Sequence, residues 1–179
     1  MTTSTPSNFV RLLGEQVRHE FTASQQYIAI AIWFDDQDLP RLAERFYAQS
    51  VEERNHAMMM VRYMLDRDWG VEIPGVDAVR NAFDKPAEPI SLALAQEKNV
   101  TEQCEALFRA ARDEGDVLSE QFMLWFLKEQ VEEVSSMNSL LTITERAGED
   151  WFQIEEHLAR ENQSEPADSS APEAAGGAL

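Results

Sequence analysis

Apolar residues recur along this chain in steps of three and four, the period of an amphipathic helix rather than the alternation of a strand. From about Ser7 to Asp36 the stripe runs through Val10, Leu13, Val17, Tyr27, Ala31 and Phe34, with Glu20 and Ser24 on the same line. From Leu39 to Asp66 it runs through Leu42, Phe46, Gln49, Met60 and Tyr63, interrupted by Glu53 and His56. From Pro86 to Glu114 it takes in Ile90, Leu94, Cys104, Phe108 and Ala111, with Glu97 and Thr101 between. From Asp116 to Arg146 the positions are Met123, Phe126, Met137 and Leu140, with Gln130 and Glu133 among them. Asp150 to Glu161 predicts a short fifth helix with Trp151, Phe152, Ile154 and Leu158 on its apolar face.

The breaks between stripes set the topology. Asp36 to Pro40 is too short for anything but a tight turn, with Asp38 as expected cap and Pro40 tolerated in the first turn. Glu114-Gly115-Asp116 is equally short, so each pair of long helices forms an antiparallel hairpin. Gly148 marks the end of the fourth helix. The stretch from Arg67 to Lys85 keeps no period. A helix of about 28 residues is ~42 Å long, and a 19-residue linker spans at most ~65 Å, so this segment can return along the whole bundle. The expected fold is all-α: a four-helix bundle with one long crossover and a short fifth helix, over residues 1–161. Asn162 to Leu179 lacks aromatic residues, ends Ala-Gly-Gly-Ala-Leu, and is expected to be a disordered tail, residues 162–179.

Charge narrows the function classes. Asp and Glu number 33 against 15 Lys and Arg, a formal net charge of −18. Such a surface repels nucleic acid and anionic membranes and attracts cations. The longest unbroken apolar run, Tyr27 to Phe34, is far short of a membrane span. The first residues show no basic segment followed by an apolar one, and the single Cys104 cannot pair within the chain, which together fit a reducing, cytoplasmic setting.

The polar interruptions carry the chemistry. Taken singly, a Glu on an approximate stripe usually reaches water from the flank, and a single His is usually a satisfied core residue. Counted from their helix starts, however, Glu20, Glu53, Glu97 and Gln130 lie 13, 14, 11 and 14 residues in, which places all four near bundle mid-height at ~17–21 Å. Three carboxylates meeting in a core cost many kcal/mol unless they are protonated or a cation offsets them. Glu53-Arg54-Asn55-His56 is an E-x-x-H, which puts a carboxylate and an imidazole one turn apart on one face. That donor set suits iron or manganese, and it matches the di-iron carboxylate design in helical bundles.

Here the sequence resembles the bacterial non-haem ferritins. The resemblance is carried by His19-Glu20-Phe21-Thr22-Ala23-Ser24-Gln25-Gln26-Tyr27, by Glu52-Glu53-Arg54-Asn55-His56-Ala57, and by Trp125 through Glu133, and it covers about Phe9 to Glu161. It implies a ferritin-like bundle assembled into a hollow shell of 24 subunits that oxidises Fe(II) with O2 or H2O2, as a ferroxidase, and stores ferric mineral inside. By position it implies that Glu20, Glu53 and His56 hold a first iron, that Glu53 bridges, and that Glu97 and Gln130 complete a second site. Tyr27 is expected beside the first iron. A third, cavity-side iron site is expected from Glu52, Glu129 and Glu133.

Two Fe(II) ions about 3.5–4 Å apart can deliver two electrons together. Haem-containing bacterioferritins repeat the E-x-x-H on the fourth helix. This chain has Gln130-Val131-Glu132-Glu133 there, with a neutral amide in the first position, which is expected to loosen the second site and make the centre one of transit. The haem-binding Met of those relatives follows the Glu of the second-helix motif, where Arg54 stands, so no haem is expected, and Met58, Met59 and Met60 are read as packing. Trp125 and Tyr27 are read either as electron donors or as amphipathic core residues, and Cys104 as packing. Glu114, Asp116 and Glu120 are either pore residues or an ordinary acidic helix end. The terminal Gly-Gly-Ala-Leu is read as a solvated end, with docking to an enclosing compartment as the alternative. Two other classes share the pattern. A rubrerythrin-like peroxidase needs, in its usual rubredoxin module, four cysteines against the one here; a metal-free helical interaction protein would need no mid-height carboxylates.

Overall fold

A computed structural model of the chain describes residues 6–161 and 170–179. Five helices form: α1 (Asn8–Asp36), α2 (Pro40–Asp66), α3 (Ala87–Asp113), α4 (Val117–Ala147) and α5 (Trp151–Glu161), with no strand among the described residues. The boundaries fall within about one residue of those expected from the apolar stripes.

Helix ends are tied across the bundle as well as locally. Ser7 caps α1, its side chain accepting from the Val10 N–H, and the Glu114 carboxylate at the end of α3 accepts from Phe9 N–H at 2.9 Å. Asp116 caps α4 by accepting from Ser119 N–H. The expected cap of α2 is overturned: Leu39 occupies that position with no side-chain bond, and Asp38 sits in the turn at a left-handed φ of 57°. The open N–H groups of Arg41 and Leu42 are met from α5 instead, by the two oxygens of Glu155 at 2.8 and 3.0 Å. Gly148 closes α4 at a φ of 60°, where a side chain would be strained.

The crossover runs back along α1. Asp77 N–H donates to Thr22, the Gln26 carboxamide both accepts from Arg80 N–H and donates to Arg80 C=O at 2.8 Å, and Phe83 packs edge-on against Trp33. These contacts order the linker level by level, so α3 starts at the same end as α2 and runs parallel to it. Two apolar clusters result. One, beside the α1–α2 turn and α5, includes Tyr27, Phe34, Phe46, Ile90 and Ile154; the other, at the opposite end, includes Phe9, Met60, Cys104, Leu107 and Phe126. Cys104 is buried as expected for packing, and burial raises its thiol pKa well above the usual value.

The stretch expected to be a disordered tail falls partly on described residues, 170–179. Residues 162–169 lie outside the described ones, but the Ala175 N–H donates to Met58 C=O and the Leu179 N–H to Asn55 Oδ1, both on α2. Ala171, Ala174 and Ala175 pack against the cluster that contains Phe9. Small side chains let this backbone approach the helix closely, a signal that low aromatic content hides.

Candidate metal centre

Between the two apolar clusters the bundle interior turns polar. α1 supplies Glu20 and Tyr27, α2 Glu53 and His56, α3 Glu97, and α4 Gln130 and Glu133, all buried. Glu20, Glu53 and Glu97 are each only 1% exposed, deeper than carboxylates are normally found without a partner cation. One helical turn separates Glu53 from His56, and the imidazole Nδ1 lies 3.2 Å from a Glu53 oxygen.

Each of these three glutamates has one oxygen engaged and one left over. Gln16, one turn before Glu20, donates to Glu20 Oε1 at 2.8 Å; His56 meets Glu53 Oε2; the Tyr27 hydroxyl donates to Glu97 Oε1. Glu20 Oε2, Glu53 Oε1 and Glu97 Oε2 are buried without a hydrogen-bond partner. Ligand atoms of Glu20, Glu53 and His56 all lie within 4.8 Å of one another. Buried, unpaired carboxylate oxygens beside an imidazole are costly in themselves and fit a hard divalent cation.

The protonation chemistry follows from the crowding. Burial holds the Glu53 carboxyl well above the ordinary range, and the negative charges of Glu97, Glu20 and Glu133 push it further. Burial also lifts Glu97, to about 7, against the pull of hydrogen bonds from Tyr27 and Gln130. Glu133 is pushed up to about 8 by burial and then by Glu52 and Glu97. The Tyr27 phenol is held well above its usual value, first by burial and then by Glu97. In the metal-free protein these protons stand where a cation would bring charge balance.

Tyr27, expected beside the first iron, makes its hydrogen bond to Glu97. Glu52, Glu129 and Glu133 are the residues expected at a third site. Glu52 and Glu129 come together with His56, their ligand atoms within 4.8 Å, while Glu133 is joined to Glu52 through Gln49. The Gln49 amide donates to Glu52 at 2.6 Å and to Glu133 at 3.3 Å. These groups border a groove of about 970 Å3 between α2 and α4, whose other end carries Arg41 and Arg45. Trp125 and Phe126 meet the His56 ring edge-on at 5.6 and 5.8 Å, so the imidazole is walled on its α4 side. Glu114 caps α1, Asp116 pairs with Arg67 at 2.8 Å, and Glu120 pairs with Arg112 at 3.1 Å, so all three have structural duties within the chain.

Gln16, Gln49 and Thr101 were not singled out from sequence as parts of the site. Gln16 and Gln49 lie one turn before Glu20 and Glu53 on the same helix faces, and that i, i+4 spacing was the available signal.

Comparison with known proteins identifies the architecture. The ferritin-like domain profile matches residues 10–147. The chain belongs to the ferritin family. It is 60% identical over 173 residues to Ferritin BfrB of Mycolicibacterium smegmatis, covering 97% of this chain and 96% of that one. Ferritin BfrB of Mycobacterium tuberculosis is 58% identical over the same span. The bacterial non-heme ferritin of Staphylococcus aureus is 33% identical over 143 residues, 80% of this chain and 86% of that one. Among solved structures, an open pore ferritin from the archaeon Archaeoglobus fulgidus matches with a TM-score of 0.84 at 25% identity, over 90% of this chain and all of that one. This ferritin is an iron-storage protein with a carboxylate and histidine cluster at its core. None of its described helices is long and apolar enough to cross a membrane.

Proposed function

We propose that the mid-height cluster is a ferroxidase centre that takes Fe(II) as substrate and passes Fe(III) to a mineral stored inside a closed shell of this chain. The observation that carries the reading is the set of three buried glutamates, each with one oxygen fixed by a protein donor and one without a partner. Glu20, Glu53 and His56 hold the first ion, Glu53 bridges, and Glu97 serves the second with Gln130 beside it. Two ions held together can give up two electrons to one molecule of O2 or H2O2. Tyr27 keeps Glu97 oriented through its hydroxyl. Glu52 and Glu129, with His56 behind them and Glu133 alongside, take iron onward into the α2–α4 groove. The net charge of −18 per chain draws Fe(II) toward the shell. Arg54 stands where a haem-binding Met would be required, so the shell works without haem.

The test is Glu53→Ala combined with His56→Ala. Fast Fe(II) oxidation, followed by stopped-flow absorbance, is expected to fall by at least about 100-fold, the upper end of what losing only the hydrogen-bond partners of metal ligands costs. Helical content and assembly size remain unchanged. Oxidation at wild-type rates in the double variant refutes the assignment. Native mass spectrometry of the wild type tests the shell: a 24-mer is expected, and a stable monomer or dimer overturns it.

A further inference from the structure

Gln130, expected to complete the second site, has its carboxamide oxygen engaged by Thr101. Thr101 lies on α3 one turn after Glu97, facing α4. Its hydroxyl reaches two acceptors: the Glu97 main-chain carbonyl at 2.8 Å and Gln130 Oε1 at 3.1 Å. With its oxygen on Thr101, the Gln130 carboxamide has only its nitrogen left to act on Glu97, whose carboxyl pKa it lowers. An amide nitrogen does not bind a cation; the amide oxygen does. Gln130 is 3% exposed, so water offers that oxygen little alternative.

We infer that Thr101 is a positioning residue that latches the Gln130 carboxamide with its oxygen away from the second metal position. This inference rests on the ferroxidase reading above and goes beyond it, by naming what sets the strength of the second site. The latch has two positions because one hydroxyl hydrogen serves two acceptors. When the proton moves fully to the Glu97 carbonyl, the ordinary back-bond of a helical Thr, Gln130 Oε1 is released with no donor left unpaired. The carboxamide can then turn over about its last torsion, which has two broad wells. The second ion therefore meets a neutral donor in place of a ligand until the latch opens, and it is held loosely.

The test uses Zn(II), which does not change oxidation state, bound to the assembled protein and followed by isothermal titration calorimetry. The second site is identified as the one weakened by Glu97→Ala. Thr101→Val keeps the shape and removes the hydroxyl, so Gln130 Oε1 becomes free to face the metal. The second ion is expected to bind about tenfold tighter, at the lower end of what orienting partners contribute, with the first ion unchanged. Thr101→Ser restores wild-type affinity. In a Gln130→Leu background, Thr101→Val is expected to have no effect, because the carboxamide it acts through is gone. Second-site affinity unchanged by Thr101→Val, or tightened equally in the Gln130→Leu background, overturns the latch while leaving the ferroxidase reading in place. A wild-type protein that binds no Zn(II) weakened by Glu97→Ala removes both.

Discussion

The apolar cluster around Phe34 and Phe46 and the polar layer just below it are built from the same helices and are equally dry, yet they stand in opposite energetic positions. In the cluster, Phe34 and Phe46 stack at 5.5 Å and Tyr27 leans on Phe46 at 5.7 Å, and every contact is gained by burial. In the layer, Glu20, Glu53 and Glu97 are buried with an oxygen apiece unpaired. The first region stabilises the metal-free fold; the second is tolerated by it. Tyr27 belongs to both, its ring in the cluster and its hydroxyl on Glu97. The proposed centre is thus a destabilised slice held between two stabilising ones, and a bound cation would restore the balance.

The sharpest way to separate the regions is to damage the stabilising one. Phe34→Ala is expected to lower stability by about 3–5 kcal/mol, the range for deleting a fully buried aromatic ring, as read from denaturant midpoints. Zn(II) affinity at the centre is expected to stay at the wild-type value. A matching loss of metal affinity would mean that the two regions are not independent.

The next effect is a pH dependence of opposite sign to that of a salt-bridged protein. Glu97 and Glu133, raised to about 7 and about 8, keep their protons in the folded state where the unfolded chain has lost them. The stability they permit is complete below about pH 4.5 and is lost as pH rises through about 7 and 8, on the order of a few kcal/mol per subunit. Melting curves of metal-free protein from pH 5 to 8.5 should show that decline, and Zn(II) should abolish it while releasing protons to the buffer. A flat profile without metal would mean that the layer is not strained.

A smaller effect is expected at one carboxylate. Glu53→Gln removes the burial cost of a charge from the centre, and the metal-free protein at pH 8 is expected to gain about 1 kcal/mol while losing most of its stabilisation by Zn(II). A loss of stability without metal would place Glu53 with the stabilising residues. The smallest expected change lies outside both regions. Glu155→Ala exposes the Arg41 and Leu42 N–H groups at the start of α2 and should cost about 1 kcal/mol with no effect on metal.

The helices were legible because their signal is local. A stripe of period 3.6 and short breaks at Asp36–Pro40 and Glu114–Asp116 constrain the chain within a few residues of each point. The height of Glu20, Glu53, Glu97 and Gln130 was legible for the same reason, since rise per residue is fixed by hydrogen bonding within the helix. Asp38 shows the limit. Its residue type suits a cap, but Glu155, more than a hundred residues away, meets the exposed N–H groups, leaving Asp38 to make the turn.

Residue types, helical rise and linker length are enough to say which donor types meet at mid-height, that α2 and α3 run parallel through one long crossover, and that the charge favours cations. Packing between helices sets which oxygen of each carboxylate or carboxamide is engaged: Tyr27 on Glu97, Gln16 on Glu20, Gln49 between Glu52 and Glu133, Thr101 on Gln130. The same packing gathers Glu52 and Glu129 at His56 and lays the last residues along α2. The division has one physical cause. Backbone hydrogen bonds repeat within a helix and leave a periodic trace in the sequence, whereas contacts between helices depend on how each is rotated and which rotamer each side chain takes, and neither leaves a period to read.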